Sequence, residues 1–183
     1  MKNKACFLDR DGVLNVELNY LCDPEKIVLE NGVIEALKIL QANGFKLLVV
    51  TNQAGVARGF FECKDVEQVH ARMAEIFAEN GVKIDRFYYC PHHEKITGKC
   101  ECRKPLPGML LQGANEFDID FGQSFMVGDR LTDLQAGQSA GCCDSILVLS
   151  GYGQNALKEY HGEKELHVAD NLLDAVKKYI VKN

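Results

Sequence analysis

Two aspartates separated by one residue follow the first apolar stretch of the chain and could share a metal ion. Cys6, Phe7 and Leu8 predict a short buried strand, and Asp9 and Asp11 come directly after it. In an extended backbone the side chains at i and i+2 point to the same side, so these carboxylates would lie together. Mg²⁺ binds one or two carboxylates together with phosphate oxygens, so the pair predicts a Mg²⁺ site. A strand end followed by a turn cap would use the same residue types.

Further polar residues follow later apolar runs and could contact a phosphate or the same metal. Thr51 ends the second run, and its hydroxyl could donate to a phosphoryl oxygen, although threonine is also common in strands. Lys104 lies beside Arg103, and the pair suits either phosphate binding or an ordinary solvated surface. Asp129 follows the fourth run as a candidate metal ligand. Asp133 could orient a lysine or cap the next helix.

A cluster of cysteine and histidine residues predicts a second metal site. Cys90, His92, Cys100 and Cys102 lie within thirteen residues, and their pairing suits a closed tetrahedral zinc site of the Cys₃His type. A closed site leaves no position for water, so the expected role is structural: it would hold the loop of about residues 90–102 and position Arg103 and Lys104. His93 is an alternative ligand.

Apolar runs alternate with helical periodicities along the chain. Strands are expected at 6–8, 45–50, 87–89, 124–127 and 145–149, and helices at 32–42, 64–80, 107–117, 132–140 and 171–180. A helix between two buried strands predicts a βαβ unit and hence a parallel sheet. Ligands of such sheets bind at the carboxyl ends of the strands, where these polar residues fall. The first strand lacks a Gly-x-Gly-x-x-Gly turn, which argues against a dinucleotide site.

Bulk properties exclude several classes of protein. The 183 residues suffice for one well-buried domain over 1–183, and the net charge of −5 argues against a nucleic-acid partner. The apolar runs are too short to span a membrane, and no signal-peptide pattern begins the chain, so we expect a cytoplasmic protein. Its eight cysteines are then expected to be reduced thiols or metal ligands.

Together these motifs resemble the four motifs of the haloacid dehalogenase (HAD) superfamily, most of whose members are phosphatases. The resemblance implies an α/β, three-layer Rossmann-like domain with a mainly parallel sheet, and the short insert after the first strand leaves no room for a large cap domain. It also implies that Asp9 attacks phosphorus to form an aspartyl-phosphate. Asp11 would protonate the leaving oxygen and later deprotonate water. The Asp9 and Asp129 carboxylates and the Asp11 carbonyl would hold Mg²⁺.

The proposed acid and base role of Asp11 carries an electrostatic expectation. Asp11 must hold a proton for part of the cycle, which a neighbouring carboxylate and partial burial would favour. Lys104 and the Thr51 hydroxyl would surround the phosphoryl oxygens as an electrostatic clamp. Catalytic roles are therefore expected at Asp9, Asp11, Thr51 and Lys104.

Three further segments resemble the D-glycero-D-manno-heptose 1,7-bisphosphate 7-phosphatase group of this superfamily. They are Cys-Pro-His-His from Cys90, Cys-Glu-Cys-Arg-Lys-Pro-Leu-Pro-Gly-Met from Cys100, and Thr-Asn-Gln-Ala-Gly-Val-Ala-Arg-Gly from Thr51. The resemblance implies a small sugar phosphate as substrate, Mg²⁺ in catalysis and Zn²⁺ in the loop. Histidinol-phosphate phosphatases share the zinc loop and are the first alternative. A catalytically idle phosphosugar-binding relative is the second.

The same resemblance implies a substrate-binding set. Arg103 would recognise the second phosphate or the sugar, and Arg130 stands where the group has a lysine. The chain has Glu17-Leu18-Asn19-Tyr20 where the group usually has Asp-x-Gly-Tyr, so the anomer preference stays open. We expect a monomer without nucleic-acid or membrane partners. The expected substrate-binding residues are Glu17, Tyr20, Thr51, Asn52, Arg58, Arg103, Lys104 and Arg130.

Overall fold

Short buried runs form a parallel sheet in the centre of the protein. The computed structural model describes residues 2–163 and 165–181, which contain six strands in the order β3-β2-β1-β4-β5-β6, every neighbouring pair parallel. The strands are β1 Lys4–Leu8, β2 Phe45–Asn52, β3 Arg86–Cys90, β4 Phe125–Gly128, β5 Asp144–Val148 and β6 His167–Ala169. This order reverses between β1 and β4, which is the switch point where ligands of doubly wound sheets bind.

Helices cover both faces of this sheet. They are α1 Val33–Ala42, α2 Cys63–Glu79, α3 Glu94–Thr97, α4 Gly108–Phe117, α5 Leu131–Ala140, α6 Gly153–Glu159 and α7 Leu172–Ala175, which continues as a π-helical turn over Val176–Ile180. Successive β1 side chains alternate between the two faces. Leu8 packs with the apolar faces of α1, α2 and α7, whereas Phe7 packs with α4 and α5. The sheet therefore separates two apolar layers, as a three-layer α/β domain requires.

The amphipathic helix α2 connects the second strand to the third and carries one side chain toward the site. Its start is capped by the Asp65 carboxylate, which accepts a hydrogen bond from the Glu62 backbone N–H at 2.7 Å. Four apolar side chains at helical spacing are buried on one face, namely Val66, Val69, Met73 and Phe77. His70 lies on the same buried side.

The predicted fold class is confirmed, and the five predicted strands are present with boundaries shifted by a few residues. The short elements β6, α3 and α6 were not predicted, because three to seven residues are too few to show a periodicity. Between β1 and α1 the chain forms a loop with a 3₁₀ turn at Pro24–Lys26 in place of a cap domain. Within the described ranges, no helix combines the length and apolar character needed to cross a bilayer.

Candidate active site

Three carboxylates meet where β1 and β4 end side by side. Asp9 follows β1, and its backbone N–H donates to the carbonyl of Val127 in β4 at 3.0 Å. Asp129 follows β4 directly, and Asp133 lies in the first turn of α5. One oxygen from each of the three carboxylates lies within 4.8 Å of the other two. The parallel pairing of two strands thus brings together residues that are far apart in the sequence.

Lys104 forms an ion pair with two of these carboxylates. Its Nζ lies 2.9 Å from Asp9 Oδ1 and 2.7 Å from Asp133 Oδ1, and it donates to the Val50 carbonyl at 2.7 Å. Burial works against the charged ammonium, but Asp133 and Asp9 outweigh it and raise the pKa of Lys104. Asp133 also accepts from the Arg130 backbone N–H at 2.9 Å. Both alternatives for Asp133, lysine orientation and helix capping, are therefore realised in one side chain.

One carboxylate oxygen of Asp129 has no hydrogen-bond donor in the described chain and only a 4.0 Å ion pair with Arg130 Nε. Its Oδ2 accepts from the Tyr152 backbone N–H at 2.8 Å, whereas its buried Oδ1 has no hydrogen-bond donor among the described residues. Burial raises the pKa of Asp129 to about 7, and burial together with the Asp133 charge raises the pKa of Asp9 well above its usual value. With all three carboxylates ionised, one ammonium leaves two negative charges uncompensated, which equals the charge of one divalent cation; such a cation would favour the ionised forms.

Two glycines leave space for the Asp129 carboxylate. A Cβ at Gly12 or at Gly151 would lie 2.3 Å from Asp129 Oδ2, and both backbones have positive φ, +79° and +54°. Only glycine adopts such a conformation without strain and also permits this approach. The residues present therefore fit a hard cation: they supply a buried Asp129 oxygen without a hydrogen-bond donor in the described chain, excess negative charge, and a cradle that a side chain would fill.

Asp11 is held by a dense set of donors. Its carboxylate accepts from Arg10 through Nε at 3.2 Å and through NH2 at 2.9 and 3.1 Å. Asn15 Nδ2 and Gln53 Nε2 each donate to it at 3.0 Å. Burial acts to raise the pKa of Asp11, but the Arg10 charge and these hydrogen bonds lower it below the usual value. Burial acts on the pKa of Asp11 as expected, but the expected net preference for the protonated form is wrong for this structure, because the Arg10 charge and the hydrogen-bond donors outweigh burial.

Thr51 and Asn52 are the last two residues of β2, the strand paired with β1. Thr51 is buried, and its Oγ1 accepts from Gln53 Nε2 at 2.9 Å. The Asn52 side chain is bonded twice to the backbone of Lys104: Nδ2 donates to its carbonyl at 3.0 Å, and Oδ1 accepts from its N–H at 3.1 Å. Asn52 thus fixes the segment that delivers Lys104. This side chain lines the cavity and supports Lys104 at the same time.

A cavity of about 790 Å³ is connected to the acidic centre through Lys104, which lines it together with Asp11; Asp9, Asp129 and Asp133 are not among its lining residues in the described chain. Seven of the eight predicted substrate-binding residues line it: Glu17, Tyr20, Asn52, Arg58, Arg103, Lys104 and Arg130. The eighth, Thr51, is buried at the strand end and is not among the lining residues of the described chain. Sequence reasoning did not identify Gln53 or Tyr152, which also line the cavity.

Each of the three arginines in the cavity wall has a fixed neighbour. Arg103 NH1 donates to the His92 carbonyl at 3.2 Å, and Arg58 NH2 lies 3.2 Å from His93 Nε2. The Arg130 guanidinium lies 3.8 Å from the centre of the Tyr152 ring. The Tyr152 hydroxyl in turn donates to Asn19 Oδ1 at 2.8 Å. Tyr152 therefore connects the loop after β1 to Arg130 and, through its N–H, to Asp129.

The predicted zinc ligands form a cluster at the end of β3. Cys90 Sγ lies 3.7 Å from Cys100 Sγ and 3.8 Å from His92 Nδ1, and His92 Nδ1 lies 3.4 Å from Cys102 Sγ. Zinc–ligand bonds of about 2.1 to 2.3 Å in a tetrahedron imply ligand separations of about 3.5 to 3.8 Å. The Cys90–Cys102 separation of 2.7 Å is shorter than that. His93 lies outside the cluster and contacts Arg58 instead.

Comparison with known proteins gives consistent matches. The Hydrolase_like family model, described as HAD-hyrolase-like, matches residues 101–175. A solved D,D-heptose 1.7-bisphosphate phosphatase from B. bronchiseptica, complexed with magnesium and phosphate, superimposes with a TM-score of 0.86 at 34% identity, covering 94% of this chain and 95% of that one. The fold is thus that of a HAD-like phosphatase, and the predicted enzyme class is confirmed.

Curated relatives in sequence indicate which kind of phosphatase the chain resembles. The D-glycero-beta-D-manno-heptose-1,7-bisphosphate 7-phosphatase of Pasteurella multocida (strain Pm70) is 45% identical over 152 residues, 81% of this chain and 83% of that protein. The D-glycero-alpha-D-manno-heptose-1,7-bisphosphate 7-phosphatase of Campylobacter jejuni subsp. jejuni serotype O:2 is 43% identical over 148 residues, 81% and 84% of the two chains. The chain belongs to the family of heptose-1,7-bisphosphate 7-phosphatases, as its motifs predicted.

Proposed function

We propose that this phosphatase removes the 7-phosphate of D-glycero-D-manno-heptose 1,7-bisphosphate, using Mg²⁺ and an aspartyl-phosphate on Asp9. The observation that carries the proposal is the combination of a buried acidic centre, joined through Lys104 to one open cavity, with three arginines in the wall of that cavity. A bisphosphate brings one phosphate to each end of such a cavity. Relatives named for this reaction support the substrate.

Asp9 is proposed to attack phosphorus, forming a P–O bond while the bond to the sugar oxygen breaks. Lys104 contacts Asp9 Oδ1 and so orients its carboxylate, and its ammonium offsets charge that develops on the phosphoryl oxygens. The Thr51 hydroxyl, at the end of the adjacent strand β2, is proposed to donate to the same phosphoryl oxygens. Bound Mg²⁺, held by the Asp9 and Asp129 carboxylates and the Asp11 carbonyl, would neutralise phosphate charge and align the phosphoryl group.

Asp11 is proposed to give its proton to the leaving sugar oxygen and then to take a proton from the water that hydrolyses the aspartyl-phosphate. Its carboxylate lines the cavity beside the acidic centre, where a leaving oxygen would emerge. The donors around it stabilise the ionised form, which is the form required of a base in the second step. In the first step, a closely placed phosphate dianion adds negative charge and favours the protonated form.

The second phosphate is proposed to bind between the arginines in the cavity wall. Arg58 and Arg103 both contact the Cys/His loop, whereas Arg130 lies beside Glu17, 3.8 Å from its carboxylate. Guanidinium groups bind phosphate through paired hydrogen bonds. Glu17, Tyr20 and Asn52 would then contact sugar hydroxyls. Which anomer fits depends on these contacts, and the printed names of the relatives include both anomers.

Zn²⁺ is proposed in the Cys/His cluster. Three of its ligand separations are close to the edges of a tetrahedral site, and all eight cysteines are free in the described chain. Free thiols are usual in a reducing compartment, which supports a cytoplasmic location. We further propose one domain over 1–183 and a monomer that acts on small sugar phosphates, without nucleic-acid or membrane partners; the net charge of −5 supports the absence of a nucleic-acid partner.

Phosphate release from a substrate panel tests the proposal. The panel contains both anomers of the heptose bisphosphate, other sugar phosphates and histidinol phosphate, each with Mg²⁺ and with Mg²⁺ chelated. We expect the highest kcat/KM for one heptose bisphosphate anomer and loss of turnover on chelation. A higher kcat/KM for histidinol phosphate would assign the alternative substrate. No release from any compound with Mg²⁺ present would reject the enzymatic role.

A further inference from the structure

The side chain of Arg10, which lies between the two motif aspartates in the sequence, is completely buried. Its exposed fraction is 0%, and its charge is therefore removed from water. Burial of a guanidinium is unfavourable unless its N–H groups are bonded to well-placed acceptors. Ordinary packing would use an apolar side chain at such a position. A buried arginine next to the site therefore points to a requirement for its geometry.

One side of the Arg10 guanidinium is bonded to Asp11. Its Nε and NH2 groups donate to the Asp11 carboxylate, with separations of 3.2 Å from Nε and of 2.9 and 3.1 Å from NH2. A planar guanidinium that contacts both oxygens restricts the rotation of the carboxylate as well as its position. Asn15 and Gln53 add one contact each, but both are neutral amides with single bonds to the group.

The other side of the guanidinium faces His70 on helix α2. Arg10 NH1 lies 3.4 Å from His70 Nε2, and an arginine N–H can only donate, so Nε2 is the acceptor. Burial lowers the pKa of His70 to about 3, so the ring is neutral and can accept. The imidazole stacks on Phe87 with ring centres 4.8 Å apart and meets the edge of Tyr89 at 5.8 Å. Both contacts prevent the imidazole from turning away.

We infer that His70 and Arg10 are positioning residues for Asp11, with α2 and β3 holding His70, His70 holding Arg10, and Arg10 holding the carboxylate. The inference rests on the proposed role of Asp11 as proton donor and acceptor. Neither residue is among those lining the cavity in the described parts of the chain, so they act through Asp11 and not by touching substrate. Their loss should therefore impair proton transfer selectively.

The effect on proton transfer can be isolated by comparing two substrates whose leaving groups differ in their need for a proton. A sugar alkoxide leaves only with a proton from the acid, whereas p-nitrophenolate is stable enough to leave without one. General acid catalysis contributes about 10²- to 10⁴-fold to rates. The kcat/KM value covers the steps up to the first irreversible one, here the departure of the leaving group, so it excludes the later hydrolysis in which Asp11 serves both substrates.

The experiment measures kcat/KM of the full-length protein with Mg²⁺ for heptose bisphosphate and for p-nitrophenyl phosphate. His70→Phe keeps an aromatic ring against Phe87 and removes the acceptor; we expect about a 10- to 100-fold loss for the sugar phosphate and less than about threefold for the aryl phosphate. His70→Gln, which restores an acceptor, should recover part of the loss. Val69→Ala on the same buried helix face is the packing control and should lower neither value by more than about twofold.

Equal losses for the two substrates would overturn the inference, because a merely structural role lowers both. Wild-type kcat/KM for the sugar phosphate in folded His70→Phe would overturn it as well. If that variant does not fold, Arg10→Lys decides, since it keeps the charge and loses the two-point contact; the same selective loss is expected. Failure of the wild-type protein to release phosphate from either compound would instead reject the proposed function.

Discussion

The acidic centre and the Cys/His cluster, two candidate metal sites, differ in how they are assembled. The acidic centre takes its carboxylates from the ends of two sheet strands and from α5, and Asp129 and Asp133 are both almost fully buried. The Cys/His cluster takes all four ligands from residues 90–102, and three of them are only half-buried. The first geometry exists only when the whole sheet is folded, whereas the second orders a single loop.

Because the two sites are assembled differently, we expect them to affect different steps: turnover at the acidic centre and substrate binding at the Cys/His cluster. The acidic centre sets the position of the reacting groups through the rigid strands, which suits chemistry that tolerates little displacement. The Cys/His cluster acts on the cavity wall, since the His92 carbonyl holds Arg103 and the His93 ring holds Arg58. Disturbing the first should therefore lower turnover, and disturbing the second should weaken substrate binding.

The sharpest test of this comparison is Asp9→Asn. The amide cannot form the acyl-phosphate, so we expect kcat to fall by at least about 10⁴-fold, as for removal of other covalent nucleophiles. The measurement is phosphate release with Mg²⁺, with circular dichroism to confirm folding. Asp144→Asn, a carboxylate at the start of β5 away from the site, is the matched control. Turnover at an undiminished rate in folded Asp9→Asn would refute the nucleophilic role.

A second test replaces Gly12 by alanine. The new Cβ would lie 2.3 Å from Asp129 Oδ2. Overpacking of this kind costs about 1 to 3 kcal/mol, so we expect the Mg²⁺ concentration for half-maximal activity to rise about 10- to 100-fold. The control is Gly141→Ala, which has φ +89° and no atom within 4 Å of its Cβ. It carries the backbone strain without the collision, so a similar shift in its Mg²⁺ requirement would show that strain alone is responsible.

For the other site, Cys102→Ser should remove one of four ligands and release the bound zinc. With the loop freed, Arg58 and Arg103 lose their fixed neighbours, and we expect KM for the bisphosphate to rise about tenfold, equivalent to about 1.4 kcal/mol. The kcat value should fall much less than in Asp9→Asn. Metal content by mass spectrometry and steady-state kinetics measure both effects, with exposed Cys143→Ser as control. Unchanged zinc content in Cys102→Ser would contradict the proposed ligand set.

The smallest expected effect comes from His93, which contacts Arg58 without belonging to the cluster. His93→Phe should raise KM for the bisphosphate by about two- to fivefold, because an exposed contact of this kind contributes little. A double-mutant cycle with Arg58→Ala tests whether His93 affects substrate binding through Arg58. If His93 acts through Arg58, adding His93→Phe to Arg58→Ala should change KM no further. Additive effects would mean that His93 influences substrate binding independently.

Much of the fold and part of the acidic centre were predictable, because Asp9, Thr51 and Asp129 each follow an apolar run that is visible in the sequence. Asp9 and Asp129 could be placed together since parallel strands end at one edge of a sheet. The Cys/His cluster was predictable because its ligands are local, although spacing left both His92 and His93 open and the family resemblance favoured His92. Strand β6 and helix α6 were not, since their three and seven residues show no clear period.

The surroundings of Asp11 could not be read from the sequence. Arginines are usually exposed, so a fully buried Arg10 between two aspartates gives no signal of its own. Asn15, Gln53 and His70 reach the site only through tertiary contacts, and no spacing rule connects His70 on α2 to the end of β1. For the same reason, the sequence led to the expectation of a raised pKa for Asp11, whereas its surroundings in the structure lower this pKa.

The close approach of Gly12 and Gly151 to Asp129 has a consequence for attempts to change what this enzyme hydrolyses. Because a Cβ at either glycine would collide with Asp129 Oδ2, the backbone around this carboxylate offers no room for redesign. The rim formed by the loop after β1, the Cys/His loop and Tyr152 is partly exposed and offers more room, provided that the four Cys/His ligands are kept. Libraries intended to alter substrate preference should vary the rim and leave the two glycines untouched.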